Sequence, residues 1–215
     1  MREKAWYPVL YMFLVTAAFS TALIVFARMT EARVDANERI AFERAVLTAL
    51  DIPGVADMGP VEIHRFFSDN ITSNNAPLSG AMIYRTDRGV TYALPFHGQG
   101  FWAPIHGILG IESDTHTLSG LAVYEQNETP GLGAEIAQPS FRTQFDGVKI
   151  ATEGKCVRIL TAAEGEPEKE NEVAAVTGAT QTSTRLEKMI NARLDEWRAA
   201  VMNAAHARTA TQTAR

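Results

Sequence analysis

The stretch Val176-Thr177-Gly178-Ala179-Thr180-Gln181-Thr182-Ser183 joins a turn of small residues to the start of an amphipathic helix and is rich in hydroxyl side chains. Downstream, Leu186, Ile190, Leu194, Trp197 and Val201 fall on one stripe at helical spacing, which predicts a closing helix over 184–205 with that stripe in the core. Thr184-Arg185-Leu186-Glu187 has the spacing of a capping box, so the helix is expected to open at Thr184. Gly178 and Ala179 let another group approach the backbone closely. A helix N-terminus leaves about four amides unpaired and carries roughly half a positive charge, which favours an anion just before the helix. Two readings stand side by side: a phosphate seat, or an ordinary capped turn.

Upstream of this stretch the pattern is that of short strands. Residues 81–86 and 90–96 flank Asp87-Arg88-Gly89, a hairpin signal, and further strands are expected at 107–111 and 118–124. Phe141 to Phe145 and Val148 to Ile150 bracket Asp146-Gly147, another tight-turn signature, and 157–161 makes a last strand. The glutamate-rich run 164–172 reads as a solvated loop. Residues 54–79 read as a loop interrupted by a short helix around 60–69. The expected fold class is α+β, with a mostly antiparallel sheet and helices against one face.

No residue between Ala5 and Ala27 is charged, and this run of about 23 residues, dominated by apolar ones, makes ~34 Å of helix, enough to cross a bilayer. The run exceeds a signal-peptide apolar region of ~7–15 residues, and Phe26-Ala27-Arg28 is a poor cleavage site, so an uncleaved anchor is expected. Arg2 and Lys4 lie on one side and Arg28, Arg33 and Arg39 near the other, so charge does not settle the orientation. Residues 29–49 lack Gly and Pro, which predicts a helix continuing to Pro53 and Gly54. The expected division is a membrane anchor over 1–28, a connecting helix over 29–53, the α+β domain over 54–205 and a flexible tail over 206–215.

The chain has 215 residues, 46% of them apolar and 21% charged, as in a globular protein, and its net charge of −5 argues against nucleic acid as a partner. Cys156 is the one cysteine, so neither an intrachain disulfide nor a cysteine-ligated metal is expected, and its apolar neighbours imply a buried, inert thiol. The five histidines show no ligand spacing, and no nucleophile elbow is present, so no metal site and no catalytic residue is assigned.

Thr177-Gly178-Ala179-Thr180, followed by Thr182-Ser183, resembles the motif (Ser/Thr)-Gly-Ala-Thr-x-Thr-Ser of the FMN-binding subunits of redox-driven ion pumps. These are NqrC of the Na+-translocating NADH:quinone oxidoreductase and its relative RnfG of the Rnf complex. Glu128-Thr129-Pro130-Gly131-Leu132-Gly133 resembles a second segment of both. Residues 98–107, with Gly98-Gln99-Gly100-Phe101-Trp102, resemble a third, in the NqrC version. The resemblance implies FMN esterified through its phosphate to Thr180 by a flavin transferase. It further implies Thr177, Gly178, Ala179, Thr182 and Ser183 around the phosphate, and Glu128, Thr129, Leu132 and Trp102 near the isoalloxazine. Phe101 and Trp102 either cover the flavin or fill the core, with at least one of them expected in the core. The family usually has an aspartate where this chain has Ala174, and Glu172 is a candidate substitute. Also implied are electron transfer within an Nqr- or Rnf-type complex of other membrane subunits, and a domain outside the cytoplasmic membrane. The alternative is a non-redox, membrane-anchored binding or scaffold domain in which the motif only caps a helix.

Overall fold

The computed structural model describes residues 6–73, 80–86 and 89–213, and side-chain environments as far as residue 204. Arg2 and Lys4, Asp87 and Arg88 of the hairpin, Pro77 and the last two residues lie outside the described residues. The chain divides into two compact units, Met1–Ala41 and Phe42–Arg215. Helix α1 runs unbroken from Trp6 to Ala49, so the anchor and the connecting helix are one element. It is long and apolar enough to cross a membrane, with a mean hydropathy of 2.3 over its most apolar window, none of which is buried.

The end of α1 is set by Asp51, not by the proline that follows. Asp51 adopts a left-handed conformation (φ 52°), its N–H donates to the Thr48 carbonyl, and the Ile52 N–H reaches back to Leu47. This is a Schellman turn closed by an aspartate where glycine is usual, with Ile52 packed on the same apolar cluster as Val46. The Ala49 carbonyl, left without a helical partner, accepts a hydrogen bond from the Ser119 hydroxyl at 2.9 Å.

Five antiparallel strands form a meander in the order β1 to β5: Ile71–Ser73, Met82–Thr86, Gly89–Gln99, Pro104–Ile111 and Leu118–Glu125. Helices cover both faces of the sheet, not one as the pattern suggested. On one face Ala45, Val46, Ala49 and Leu50 pack against Met82, Ala93, Ile108 and Ala122, with Phe67 of α2 (Pro60–Asn70) at the margin. On the other, Leu186, Ile190, Leu194 and Trp197 of α4 (Thr180–Thr213) pack against Leu94, Phe96, Leu109 and Leu121. Strand β4 is accordingly buried on both sides through Ile108, Leu109 and Ile111, which is why its sequence lacks a polar alternation.

Three further expectations change. Phe141 to Phe145 are not a strand: Pro139 opens a short helix, α3 (Pro139–Arg142), and a 3₁₀ turn follows, burying Phe141 and Phe145. Residues 148–150 contribute only one bridge, Thr117 to Lys149. The glutamate-rich run ends in a strand, because Glu172–Ala174 (β7) pairs in parallel with Arg158–Leu160 (β6). Finally, α4 opens four residues before Thr184 and continues to Thr213, past the expected tail boundary.

Cys156 is fully buried, its S–H donating to Asp195 at 3.5 Å, and burial pushes its pKa from 9.0 to about 11. Below pH 9 the thiol is neutral whether the chain is folded or not. Between 9 and 11 only the unfolded chain ionises, so stability is expected to fall across that window. Iodoacetamide at pH 8 should label Cys156 only in denaturant, and rapid labelling of the folded chain would contradict its burial. Substitution of Gly110 tests the seating of α1. A Cβ there would lie 1.8 Å from the Ala49 carbonyl oxygen, so Gly110→Ala should cost about 3 kcal/mol or more and lower Tm by at least ~6 °C. An unchanged melting curve would show that this contact yields freely.

Candidate functional site

Strand β7 leads directly into the hydroxyl-rich stretch. The Ala175 N–H donates to Leu160, and the Ala179 N–H closes a turn onto Val176 at 3.0 Å. Gly178 sits inside that turn at φ 77°, a conformation that side chains strain to adopt, and a Cβ there would also press on Leu132 at 3.0 Å. The Ser183 N–H donates to the Ala179 carbonyl, so Ala179 occupies the N-cap and Thr180 the first helical position. An alanine has no oxygen with which to cap, and the amides of Thr180, Gln181 and Thr182 precede the first intrahelical bond.

The hydroxyls divide into two sets. Thr177 and Thr180 are exposed at the turn, together with Gly178. Thr182 and Ser183 point inwards: Thr182 donates to Glu128 Oε2 at 2.6 Å, and Ser183 Oγ accepts from the Val176 N–H at 3.3 Å. Glu187, expected to close a capping box, instead accepts from the Ile159 N–H at 2.8 Å and pairs with Lys155. Asn191 grips Val157 through both its amide and its carbonyl, so α4 supplies side-chain partners to the open edge of β6. Gln144 does the same for β7, accepting from the Ala174 N–H at 2.9 Å and donating to its carbonyl at 3.4 Å.

Glu128 is the centre of the arrangement. Its carboxyl is buried (5% exposed), with Oε1 accepting from the Trp102 N–H at 2.9 Å and Oε2 from Thr182. One side chain thus ties the β3–β4 connection, the 128–133 loop and the first turn of α4 together. The glycines of these segments are small for this reason. A Cβ at Gly100 would meet Glu128 Oε1 at 2.5 Å, and one at Gly133 would meet Thr182 Oγ1 at 2.6 Å. Gln126 orients Glu128 from its own strand end, accepting its N–H at 2.7 Å.

Three large apolar side chains stand exposed on the segments that Glu128 joins. Phe101 and Trp102 stand at the tip of the turn closed by Gly100 N–H to Ala103, 45% and 66% exposed, in edge contact with each other at 4.9 Å. Neither fills the core, contrary to expectation, because the turn projects both rings off the sheet. Leu132 is 43% exposed beside Gly178, and Thr129 is exposed, its carbonyl accepting the N–H groups of Leu132 and Ala134. These residues fit a group that is anionic at one end and flat and apolar at the other. The uncapped amides and the Thr180 hydroxyl suit the first, and Leu132 and Trp102 the second.

Glu172, the candidate substitute for the aspartate absent at Ala174, has its carboxylate engaged within its own loop and with Arg158. Its carboxylate accepts from the Glu168 and Lys169 N–H groups at 3.2 Å each and from Arg158 at 2.8 Å, and these contacts, the first above all, hold its pKa below the usual carboxylate value. The part played by Gln144 has no signal in the sequence, since nothing links a glutamine in a turn to a strand 30 residues away.

Comparison with known proteins gives this geometry a context. Residues 100–195 match the family model described as FMN-binding domain, a range that holds the 128–133 and 177–183 segments and all but the first two residues of the 98–107 segment. The NqrC protein of the Na+-translocating NADH-quinone reductase from Vibrio vulnificus is 43% identical over 91 residues, covering 42% of this chain and 36% of that protein. The chain therefore spans about a third of the length of the curated relative it matches there. Among solved structures, the corresponding protein from Parabacteroides distasonis superposes with a TM-score of 0.66 at 22% identity, covering 78% of this chain and 94% of that one. NqrC from Shewanella oneidensis gives 0.62 at 21% identity, covering 80% and 99%. These likenesses establish the α+β fold.

Removing Glu128 strands two donors. Glu128→Ala should lower the unfolding free energy by about 3 kcal/mol, against about 1 kcal/mol for Thr182→Val. Denaturant titration of the two variants measures this, and an alanine variant as stable as wild type would deny Glu128 its tying role.

Proposed function

From this resemblance to NqrC of the Na+-translocating NADH-quinone reductase, we propose that the chain is a membrane-anchored electron-transfer subunit carrying FMN joined to Thr180 through its phosphate. The observation that carries the reading is the helix start. Its N-cap is Ala179, its neighbouring hydroxyls Thr182 and Ser183 face inwards, and Thr180 alone of the first turn's threonines is exposed, beside amides that precede the first intrahelical bond. A stretch that served only to cap the helix would put a hydroxyl on those amides. The scaffold alternative is thereby weakened.

When bound, FMN supplies one-electron chemistry through its isoalloxazine. The chain's residues do the rest. The turn at Gly178 holds Thr180 in the first helical turn, where amides and the helix dipole favour the phosphate's charge. Leu132 and Trp102 border the flat ring, and Glu128 fixes the two loops that carry them. An ester bond keeps the cofactor at high local concentration outside the cytoplasm, where a diffusible flavin would be lost. In this proposal α1 is a single-pass anchor in the cell membrane, the domain lies on its extracytoplasmic side, and the partners are other membrane subunits of an Nqr- or Rnf-type complex, with a flavin transferase for maturation.

The full chain made together with a flavin transferase should give a fluorescent band on a denaturing gel, and Thr180→Val a dark one. The tryptic fragment ending at Arg185 should carry the added mass. A dark wild-type band, or a fragment of unmodified mass, rejects the covalent link. Leu132→Ala and Trp102→Ala should keep the fluorescence but shift the flavin absorption spectrum. Spectra identical to wild type would remove both residues from the ring.

A further inference from the structure

A groove of about 1090 Å³ runs beside the first turns of α4, between that helix and the end of β3. Its helix wall begins at Gln181, next to Thr180, and continues through Arg185, Lys188 and Met189. Its strand wall includes Phe96 and Gln99, just before the turn that carries Phe101 and Trp102. The groove therefore opens beside the site described above, on a different flank of the helix from Thr182 and Glu128.

Charge distinguishes this groove from the rest of the molecule. The chain as a whole carries −5, yet Arg185 and Lys188 line the groove near Thr180. Farther along, Arg193 donates to the Pro95 carbonyl and pairs with Glu196, which offsets its charge locally. A guanidinium fork is best answered by a carboxylate, and the Arg185 side chain lines the groove. Met189 and Ala192 give the same wall an apolar stretch between the charges.

We propose that this groove docks an acidic segment of the electron-transfer partner, its carboxylates on Arg185 and Lys188 and its apolar side chains on Met189. The proposal rests on the electron-transfer reading given above. A cleft lined by one sign of charge raises association rates by roughly 10- to 1000-fold, and short-lived electron-transfer contacts are small and electrostatically steered. A partner seated here lies beside the Thr180 turn and the exposed aromatic rings, so docking and electron exchange occur at adjoining surfaces.

The test uses the full chain in detergent and two fluorescent peptides of equal length, one alternating Asp/Glu with Leu and one alternating Lys with Leu. At an ionic strength of about 10 mM the acidic peptide should bind more tightly by anisotropy, and about 0.2 M salt should weaken it. The double variant Arg185→Glu/Lys188→Glu should lose the acidic peptide at least ~10-fold, and Arg185→Gln/Lys188→Gln should fall between, with melting curves confirming that both fold. Equal binding of the two peptides by wild type, or undiminished binding of the acidic one by the folded double variant, overturns the proposal. A second arm photoreduces the flavin-loaded protein with EDTA, which is oxidised as the sacrificial electron donor, and follows one electron passing from the flavin to Cu(II) of plastocyanin, an acidic acceptor, or to Fe(III) of basic cytochrome c. Charge reversal should slow the first and not the second, and equal slowing of both counts against the groove. Peptide discrimination without gel fluorescence would sink the flavin reading and spare the groove, whereas fluorescence without discrimination would do the opposite.

Discussion

A buried carboxylate with two donors on it holds one end of this domain together. Glu128 accepts one hydrogen bond from the backbone of the β3–β4 turn and one from a hydroxyl in the first turn of α4. Its own backbone belongs to the loop between β5 and α3. The two partners lie 26 and 54 residues from Glu128 in sequence, and no apolar contact could specify their register as sharply. Glycines at 100 and 133 leave the carboxylate room, and the one at 178 lets Leu132 close over the turn.

Much of this was legible in the residues. The uncharged run of α1, the hairpin of β2 and β3 with its turn signal, and the helical stripe from Leu186 to Trp197 follow from local sequence, because each is a short-range pattern. The convergence of three small-residue segments was legible only by resemblance. What each side chain does there was not. Thr182 and Glu128 read as ligand contacts, yet they face each other inside the protein, and the capping-box spacing at Thr184 was a coincidence of a helix that had already begun. Local patterns cannot report which way a polar group turns when its partner is distant in sequence.

The small parallel pair β6–β7 illustrates the same limit from another side. Two three-residue strands expose as many unpaired edge groups as they satisfy. Here Asn191 and Glu187 answer one edge and Gln144 the other, so side chains replace neighbouring strands. Glu172, which composition assigned to a solvated loop, is buried beneath Arg158 at the start of that pair. A charged run can thus hide a strand when the charges are consumed by loop amides and one arginine.

The reach of α4 also shapes how the protein is made. Arg193 bonds Pro95, 98 residues earlier, and Trp197 bonds Thr115, 82 residues earlier. Because this helix follows the whole sheet in chain order, Leu94, Phe96, Leu109 and Leu121 stay uncovered during synthesis until α4 has been made. Nascent chains halted before residue 186 would display that greasy sheet face, making them clients for holdase chaperones and early targets of proteolysis.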